Sequence, residues 1–303
     1  MIKEFYKKYQ KHFDVSENNF IHFVMWSCGG ICIGFVIGLV GIAFHLALEW
    51  ATAFRLTHPW LLWLLPLGGL AIVLTYRWVG MEKDRGTNFI LVAVRSNEPV
   101  TLKTAPLIFF STVVTHLLGG SAGREGAALQ LGGSIASSFG RIFQLNEREE
   151  RIMTMCGMAA GFAALFGTPL TSVIFAMEVI TVGVMHYSAI VPCIISALVA
   201  AGLSQAVGIA PTAFAIAKIP ATIGLENCWR VAILGLLCAI LSVFFCIIME
   251  KIGDIYRRVF KNPLVRVFCG GCIVIAVTYL VGCRDYNGAG MNIIAQALQG
   301  DAK

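Results

Sequence analysis

An arginine and a glutamate stand side by side in a glycine-rich stretch, Gly119–Gly133, within otherwise apolar sequence. Arg124 and Glu125 are the only charged residues between Ala105 and Gly140. A charged residue at membrane depth costs about 2.5–3.5 kcal/mol on insertion scales, and such residues mark ion or substrate pathways. Crowded glycines disfavour one continuous helix, and broken backbone survives at that depth only where it lines a cavity or is buried in protein. The stretch therefore predicts an ion or substrate pathway that contains Glu125.

The composition indicates an all-α polytopic membrane protein embedded in a lipid bilayer. Of the 303 residues, 57% are hydrophobic and 13% are charged, whereas soluble proteins carry about 25% charged residues. The net charge of +6 forms no continuous basic stripe, so we expect no nucleic-acid partner. Four lysines in residues 1–19 predict a cytoplasmic amino terminus, and we interpret this segment as an interfacial amphipathic helix.

The ten cysteines lie almost all in apolar runs, which is typical of small packing residues. Only Cys269 and Cys272 have the spacing of a metal or redox pair, and no second pair or histidine couple accompanies them. Hydrolase elbows, phosphate-binding loops and zinc-protease motifs are also missing from the sequence. We therefore expect no metal, no cofactor and no enzyme activity.

Many apolar runs are shorter than the roughly 20 residues that a membrane-spanning helix needs. The runs of near-spanning length are Phe20–Leu48, Trp60–Tyr76, Ala189–Val207, Val231–Met249 and Val265–Val281. The shorter runs are Asn88–Val94, Leu107–Leu118, Gly126–Phe143, Met153–Leu165, Leu170–Val184 and Met291–Leu298. Short runs separated by glycine or proline predict the discontinuous and re-entrant helices of a transporter or channel.

The chain also repeats part of its own pattern. Leu67-Gly68-Gly69 and the apolar run that follows resemble Cys269-Gly270-Gly271 and its run, and two further matches keep nearly the same offset. The repeat predicts an amphipathic segment at 1–19, a first transmembrane repeat at 20–215 and a partial second repeat at 216–303. Because the second unit has no counterpart of Gly119–Gly133, we expect a carboxy-terminal truncation. Internal repeats place the binding site between the two halves.

A helix that begins near Gly126 would direct its free N–H groups and its positive dipole end at the break. Such an end attracts anions, and Glu125 would compete there as a tethered anion. Protonation of Glu125 would let it gate the pathway or carry a proton. The alternative is a structural ion pair with Arg124, although adjacent residues on a helix do not face each other.

Two further polar elements have two interpretations each. Gly86, Thr87 and Asn88 precede a short apolar run, where they would coordinate an ion at a second helix start or serve only as helix caps. Glu178 is the only charged residue between positions 152 and 217. It is either a second proton-carrying carboxylate or a structural one.

These motifs resemble the CLC family of chloride channels and anion/proton antiporters. The resemblance lies in Gly123-Arg124-Glu125-Gly126, in the trailing Gln130 and Gly132-Gly133, and in Gly167-Thr168-Pro169-Leu170. It implies a CLC-type inverted-repeat bundle with an incomplete second repeat, and a homodimer with one pore per subunit.

The resemblance also implies roles for individual residues. Glu125 matches the external gating glutamate, and Thr87 takes the position of the anion-coordinating serine. Gly86, Asn88, Arg124, Gly126 and Ala127 complete the implied anion-binding set. Ala127 and Ile90 replace prolines of the family pattern, and Val179 stands where its antiporters carry an internal proton glutamate.

The stretch from Thr115 to Gly126 is most similar to the fluoride-exporting prokaryotic branch of this family. We therefore expect transport of a halide anion, with fluoride favoured over chloride, by a channel or an anion/proton antiporter in the plasma (inner) membrane. The alternative function is a non-conducting fragment that acts only by association with a longer subunit.

Overall fold

The computed structural model describes residues 2–82, 90, 92, 100–180, 185–210 and 224–299. Within these ranges every regular element is helical, so the predicted all-α class is confirmed. Short 3₁₀ helices cover Pro59–Leu64 and Tyr187–Ala189. The α-helices are α1 (Ile2–Thr57), α2 (Leu65–Trp78), α3 (Thr104–Leu117), α4 (Glu125–Ile142), α5 (Glu147–Phe166), α6 (Pro169–Glu178), α7 (Ile190–Ala206), α8 (Leu225–Val259), α9 (Pro263–Val281) and α10 (Met291–Gln299).

Among the described residues, five helical stretches are long and apolar enough to cross a membrane. They are Phe23–Thr57, Pro59–Trp78, Tyr187–Ala206, Asn227–Val259 and Pro263–Val281. Helices α3 and α6 are apolar but shorter, with 14 and 10 residues. The chain is thus a multi-pass helical protein that combines full spans with half-spans.

Helix α5 begins at Glu147, whereas the apolar run alone predicted a start at Met153. The Asn146 side chain accepts a hydrogen bond from the Glu149 N–H, and the Glu149 carboxylate accepts one from the Asn146 N–H, each at 3.0 Å. This capping box starts the helix in charged sequence that a hydropathy window misses. Glutamates in the first turn also suit the positive end of the helix dipole.

Other predicted bounds also differ from the observed helices. Helix α8 covers Leu225–Val259 and is longer at both ends than the predicted run, because polar residues extend it beyond the apolar part. Helix α6 ends at Glu178, before the predicted Val184. The Asn88–Val94 run lies outside the described residues except for positions 90 and 92. Residues 2–19 continue α1, and their interfacial position stays a prediction.

Helix α5 is the centre of the core, and α4 contacts it backbone to backbone. A Cβ atom on Gly157 would overlap the carbonyl of Gly132, and one on Gly161 would lie 2.7 Å from the carbonyl of Ala128. Small residues of this kind allow close helix packing in membranes, where dispersion contacts replace the hydrophobic effect. The contact fixes α4, and with it Glu125, against the core.

Helix α7 is held to α5 by two serine hydroxyls that donate hydrogen bonds across the helix interface. Ser196 Oγ donates to the carbonyl of Cys156 at 3.0 Å, and Ser204 Oγ donates to the carbonyl of Ala164 at 2.9 Å. Such interhelical bonds contribute about 0.6 kcal/mol each on average in membrane proteins. They fix the position of α7 along α5.

Helix α1 packs on α7 through a row of glycines. Added Cβ atoms on Gly30, Gly34 and Gly38 would each lie within 3.1 Å of the α7 backbone. Helix α1 therefore lies close to α7 and α5, and its carboxyl end reaches the region where α3 ends.

Helix α9 packs on α2, which joins the last part of the chain to the first. A Cβ atom on Gly271 would lie 2.7 Å from the backbone of Pro66, and the rings of Trp63 and Tyr279 are 5.3 Å apart. By contrast, the most apolar window of α8 has no buried share among the described residues. Helix α8 therefore presents an apolar surface along its length.

A candidate ion pathway at broken helices

The backbone turns sharply between α3 and α4. Helix α3 ends at Leu117, and Gly119 follows with φ +82°, a conformation that side chains disfavour. The N–H of Gly120 donates to the carbonyl of Thr115 at 2.9 Å and closes the end of α3. The chain then passes through residues 121–124 into α4. The predicted break in the glycine-rich stretch is confirmed.

Glu125 is the first residue of α4, one position before the predicted start near Gly126. Arg124 is the N-cap residue, and its side chain makes no capping hydrogen bond. The first intrahelical bond runs from the N–H of Ala128 to the carbonyl of Arg124, at 3.0 Å. The free N–H groups of the first turn, including those of Gly126 and Ala127, are therefore directed at the break.

The Glu125 side chain is exposed and folds back towards Gly123, where an added Cβ atom would overlap its Oε2 atom. The half-buried Arg124 guanidinium lies over the ring of Phe166, with its carbon 5.3 Å from the ring centre. The two side chains interact electrostatically. They sit at a helix start in broken backbone, and not along a continuous helix.

A second break lies beside the first. Helix α5 ends at Phe166, Gly167 has φ +69°, and α6 begins at Pro169 with Thr168 as its N-cap residue. Because Arg124 contacts the Phe166 ring, the start of α4 and the junction of α5 and α6 are neighbours. Two breaks that the sequence places far apart are brought together.

The loop between α9 and α10 covers the α3–α4 break from the other side. Ser121 Oγ donates a hydrogen bond to the carbonyl of Tyr286 at 2.6 Å. Asn287 Nδ2 donates to the carbonyl of Gly119 at 3.0 Å. These contacts were not predicted from the sequence, because the loop has no periodicity that would indicate a partner far along the chain.

A cavity of about 500 Å³ opens next to this break, at the carboxyl ends of α1 and α3. Most of its polar lining escaped the sequence analysis because these residues lie singly at the ends of apolar runs. The polar side chains in the lining are Glu49, Thr52, Arg55, His116, Arg124, Asp285 and Asn287.

The other predicted site residues have different positions. Gly86, Thr87 and Asn88 lie outside the described residues, so their role stays a prediction. Glu178 is the last residue of α6, at the end opposite the Thr168 break, and its side chain is exposed. In the described ranges, no cluster of three or more histidine, cysteine or acidic residues could hold a metal ion.

Relatives of the chain share its sequence over most of its length. A chloride/fluoride channel protein of Pseudomonas syringae pv. tomato is 33% identical over 274 residues, which cover 88% of this chain and 60% of the relative. An H(+)/Cl(-) exchange transporter ClcA of Cronobacter sakazakii is 34% identical over 160 residues, which cover 48% of this chain and 34% of the relative. This chain therefore covers less than two thirds of the length of these relatives.

The fold matches solved structures as well. The crystal structure of a CLC-type fluoride/proton antiporter aligns with a TM-score of 0.86 at 29% identity, covering 92% of this chain and 71% of the other. A slow cyanobacterial Cl⁻/H⁺ antiporter shares the fold, with a TM-score of 0.69 at 22% identity over 90% of this chain and 67% of the other. Residues 67–303 also match the family described as voltage gated chloride channel. Since this match covers more than half of its length, the chain belongs to the voltage gated chloride channel family, the CLC proteins.

Proposed function

We propose that this protein carries a halide anion across a membrane and that Glu125 gates the movement and couples it to a proton. The observation that carries this proposal is the position of Glu125 at the first turn of α4, in the break after α3. A helix start holds roughly half a positive charge and free N–H donors. A carboxylate and a halide compete for such a place.

The mechanism follows from this competition. The ionised Glu125 carboxylate occupies the helix start and excludes the anion. Protonation removes its negative charge, so the side chain swings aside and the anion binds at the N–H groups near Gly126 and Ala127. Thr87, with Gly86 and Asn88, remains in this proposal as a second anion-coordinating element, and these residues lie outside the described part of the chain. Arg124 adds a positive charge that raises the local anion concentration.

Fluoride is the anion we favour, and proton antiport is the mode. The Pseudomonas syringae relative is named a chloride/fluoride channel protein, and the structural match at a TM-score of 0.86 is a fluoride/proton antiporter. Chloride remains the competing substrate, because the ClcA relatives are H(+)/Cl(-) exchange transporters.

Glu178 retains its two interpretations, a second proton carrier or a structural carboxylate. Its exposed position at the far end of α6 suits a group that exchanges protons with water away from the Glu125 break. Val179, beside it, cannot carry a proton.

The orientation and location of the transporter are part of the proposal. The lysine-rich amino terminus predicts a cytoplasmic start and a plasma-membrane location. The carboxyl end of α1, and with it the cavity near Arg55, then faces the outside. A homodimer with one pathway per subunit completes the proposal.

The second candidate function is association with a longer subunit without conduction. One observation favours it: the apolar window of α8 is unburied among the described residues. Such a surface needs lipid or another protein to cover it.

Flux from liposomes distinguishes the two functions. The purified chain, the full-length Pseudomonas syringae relative and a mixture of the two are reconstituted in parallel. Fluoride and chloride release is then followed with ion-selective electrodes. We expect release by the chain alone, faster for fluoride. No release by the chain alone above empty liposomes contradicts transport, and a changed release by the relative in the mixture then supports association.

A further inference from the structure

The cavity beside the α3–α4 break contains polar groups that have no hydrogen-bond partner among the described residues. Its volume is about 500 Å³, enough for a small anion with several waters. Glu125 is not part of its lining, which comes from α1, α3, the α4 N-cap and the α9–α10 region. The cavity lies next to the proposed pathway and shares Arg124 with it.

Arg55 is the first of these groups. Its Nε and Nη1 atoms are buried and have no hydrogen-bond partner among the described residues. The guanidinium rests on the backbone of Gly288, where an added Cβ atom would lie 2.7 Å from Nη2. Leaving a buried charged donor unsatisfied is strongly unfavourable. The Arg55 guanidinium only donates hydrogen bonds, so a ligand here must accept them, which favours an anion over a cation.

His116 is the second group, and it is almost fully buried, with 3% of its surface exposed. Its Nδ1 atom lies 2.9 Å from the carbonyl of Thr112. A carbonyl only accepts, so Nδ1 carries a hydrogen, which leaves Nε2 as an acceptor in the neutral ring and a donor in the charged one. Nε2 is buried and has no partner among the described residues.

The charges around His116 determine what the cavity accepts. Arg55 and Arg124 contribute two positive charges to the lining, and Glu49 and Asp285 contribute two negative ones. Glu125 also acts electrostatically on the His116 ring, as do Arg55 and Arg124. With neutral His116 the lining charges balance, and protonation of His116 leaves one positive charge.

The start of α10 supplies a further attraction for an anion. Gly290 and Met291 line the cavity, and Met291 is the first residue of α10. The free N–H groups of that helix start and its positive dipole end therefore lie at the cavity wall. Two independent features, the unpartnered side-chain groups and this helix start, favour the same kind of ligand.

We propose that this cavity is an accessory binding site for a small monovalent anion, held by the Arg55 guanidinium, and that the anion binds together with a proton on His116 Nε2. The contribution of this site to transport rests on the proposed function, because the site would concentrate anion and proton beside Glu125. Binding itself requires no movement of Glu125.

Anion binding to purified variants tests the site. Fluoride and chloride binding is measured by calorimetry, one pH unit below and one above about 6.5, the ordinary pKa of histidine. A Glu125→Gln background removes the negative charge that acts on the His116 ring from outside the cavity. We expect Arg55→Gln to weaken binding about tenfold or more, as for the loss of a charged hydrogen bond. We expect His116→Gln to abolish the pH dependence of anion binding.

Arg257→Gln and His186→Gln are the matched controls, because neither residue lines the cavity. Both should leave anion affinity unchanged. Equal affinity in Arg55→Gln and in the background protein, with both folded, would overturn the site. Should Arg55→Gln fail to fold, bromide soaked into crystals of the Glu125→Gln protein decides. Anomalous density within hydrogen-bonding distance of Arg55 supports the site, and the absence of density there overturns it.

The two proposals fail in different ways. Loss of anion binding in Arg55→Gln supports the accessory site. Proton coupling in the parent chain supports the proposed function. Proton coupling that survives Glu125→Gln would remove the gating role, yet it would leave the Arg55 binding result standing.

Discussion

Asn287 Nδ2 donates a hydrogen bond to the carbonyl of Gly119 at 3.0 Å, across 168 positions of sequence. The same amide lies 3.3 Å from the hydroxyl of Thr278 in α9. One side chain thus connects the break between α3 and α4 to the second part of the chain. The contact helps to hold the break that precedes α4, the helix that begins at Glu125.

Replacing Asn287 with alanine should destabilise the protein, because the Gly119 carbonyl loses its donor. A buried group left without its partner costs about 1–3 kcal/mol. Thermal unfolding in detergent would measure the loss. Gln205→Ala, which removes an exposed amide on α7, is the control and should leave the unfolding temperature unchanged. An Asn287→Ala protein as stable as the parent would show that the contact contributes nothing.

Gly123→Ala should alter gating while leaving stability nearly unchanged. The new Cβ atom would overlap Oε2 of Glu125, and the flexible carboxylate can turn away at little cost. Since the carboxylate then loses its resting place, we expect faster anion flux at high pH and a shallower pH dependence. Liposome flux across a pH series provides the measurement. Gly202→Ala, at a position with open space, serves as the control. An unaltered pH profile would contradict this position of Glu125.

Gly157→Ala should separate α4 from α5. Its Cβ atom would overlap both the Gly132 carbonyl and the Ala136 side chain, and neither can move without the helix. Overpacking a well-packed core costs typically about 1–3 kcal/mol, and we expect at least the upper end here. The matched control is Gly235→Ala on α8, which meets nothing within 4 Å. Equal thermal stability of the two variants would be inconsistent with this helix contact.

The half-spans around the pathway follow from local sequence. The predicted Gly126–Phe143 run and the observed α4 differ by one residue at each end. This agreement has a physical cause, because glycines and the Arg124-Glu125 pair interrupt the apolar pattern where α4 begins. The break before Pro169 was predicted for the same reason, since glycine and proline disfavour a continuous helix.

Other features depend on information that a hydropathy pattern does not contain. The start of α5 at Glu147 depends on a capping box of polar residues. The cavity depends on Arg55 and His116, which belong to different helices and meet only in the folded protein. Contacts between distant segments, such as the one between Ser121 and Tyr286, have no periodicity to indicate them.

Proton movement driven by an anion gradient decides the role of Glu125. Liposomes containing the chain are given an outward fluoride gradient and no proton gradient, and external pH is recorded. We expect protons to move into the liposomes against fluoride in the parent chain, and Glu125→Gln to lose this movement while Glu250→Gln on α8 retains it. Proton movement of equal size and stoichiometry in Glu125→Gln would contradict the assignment of this carboxylate as the coupling group.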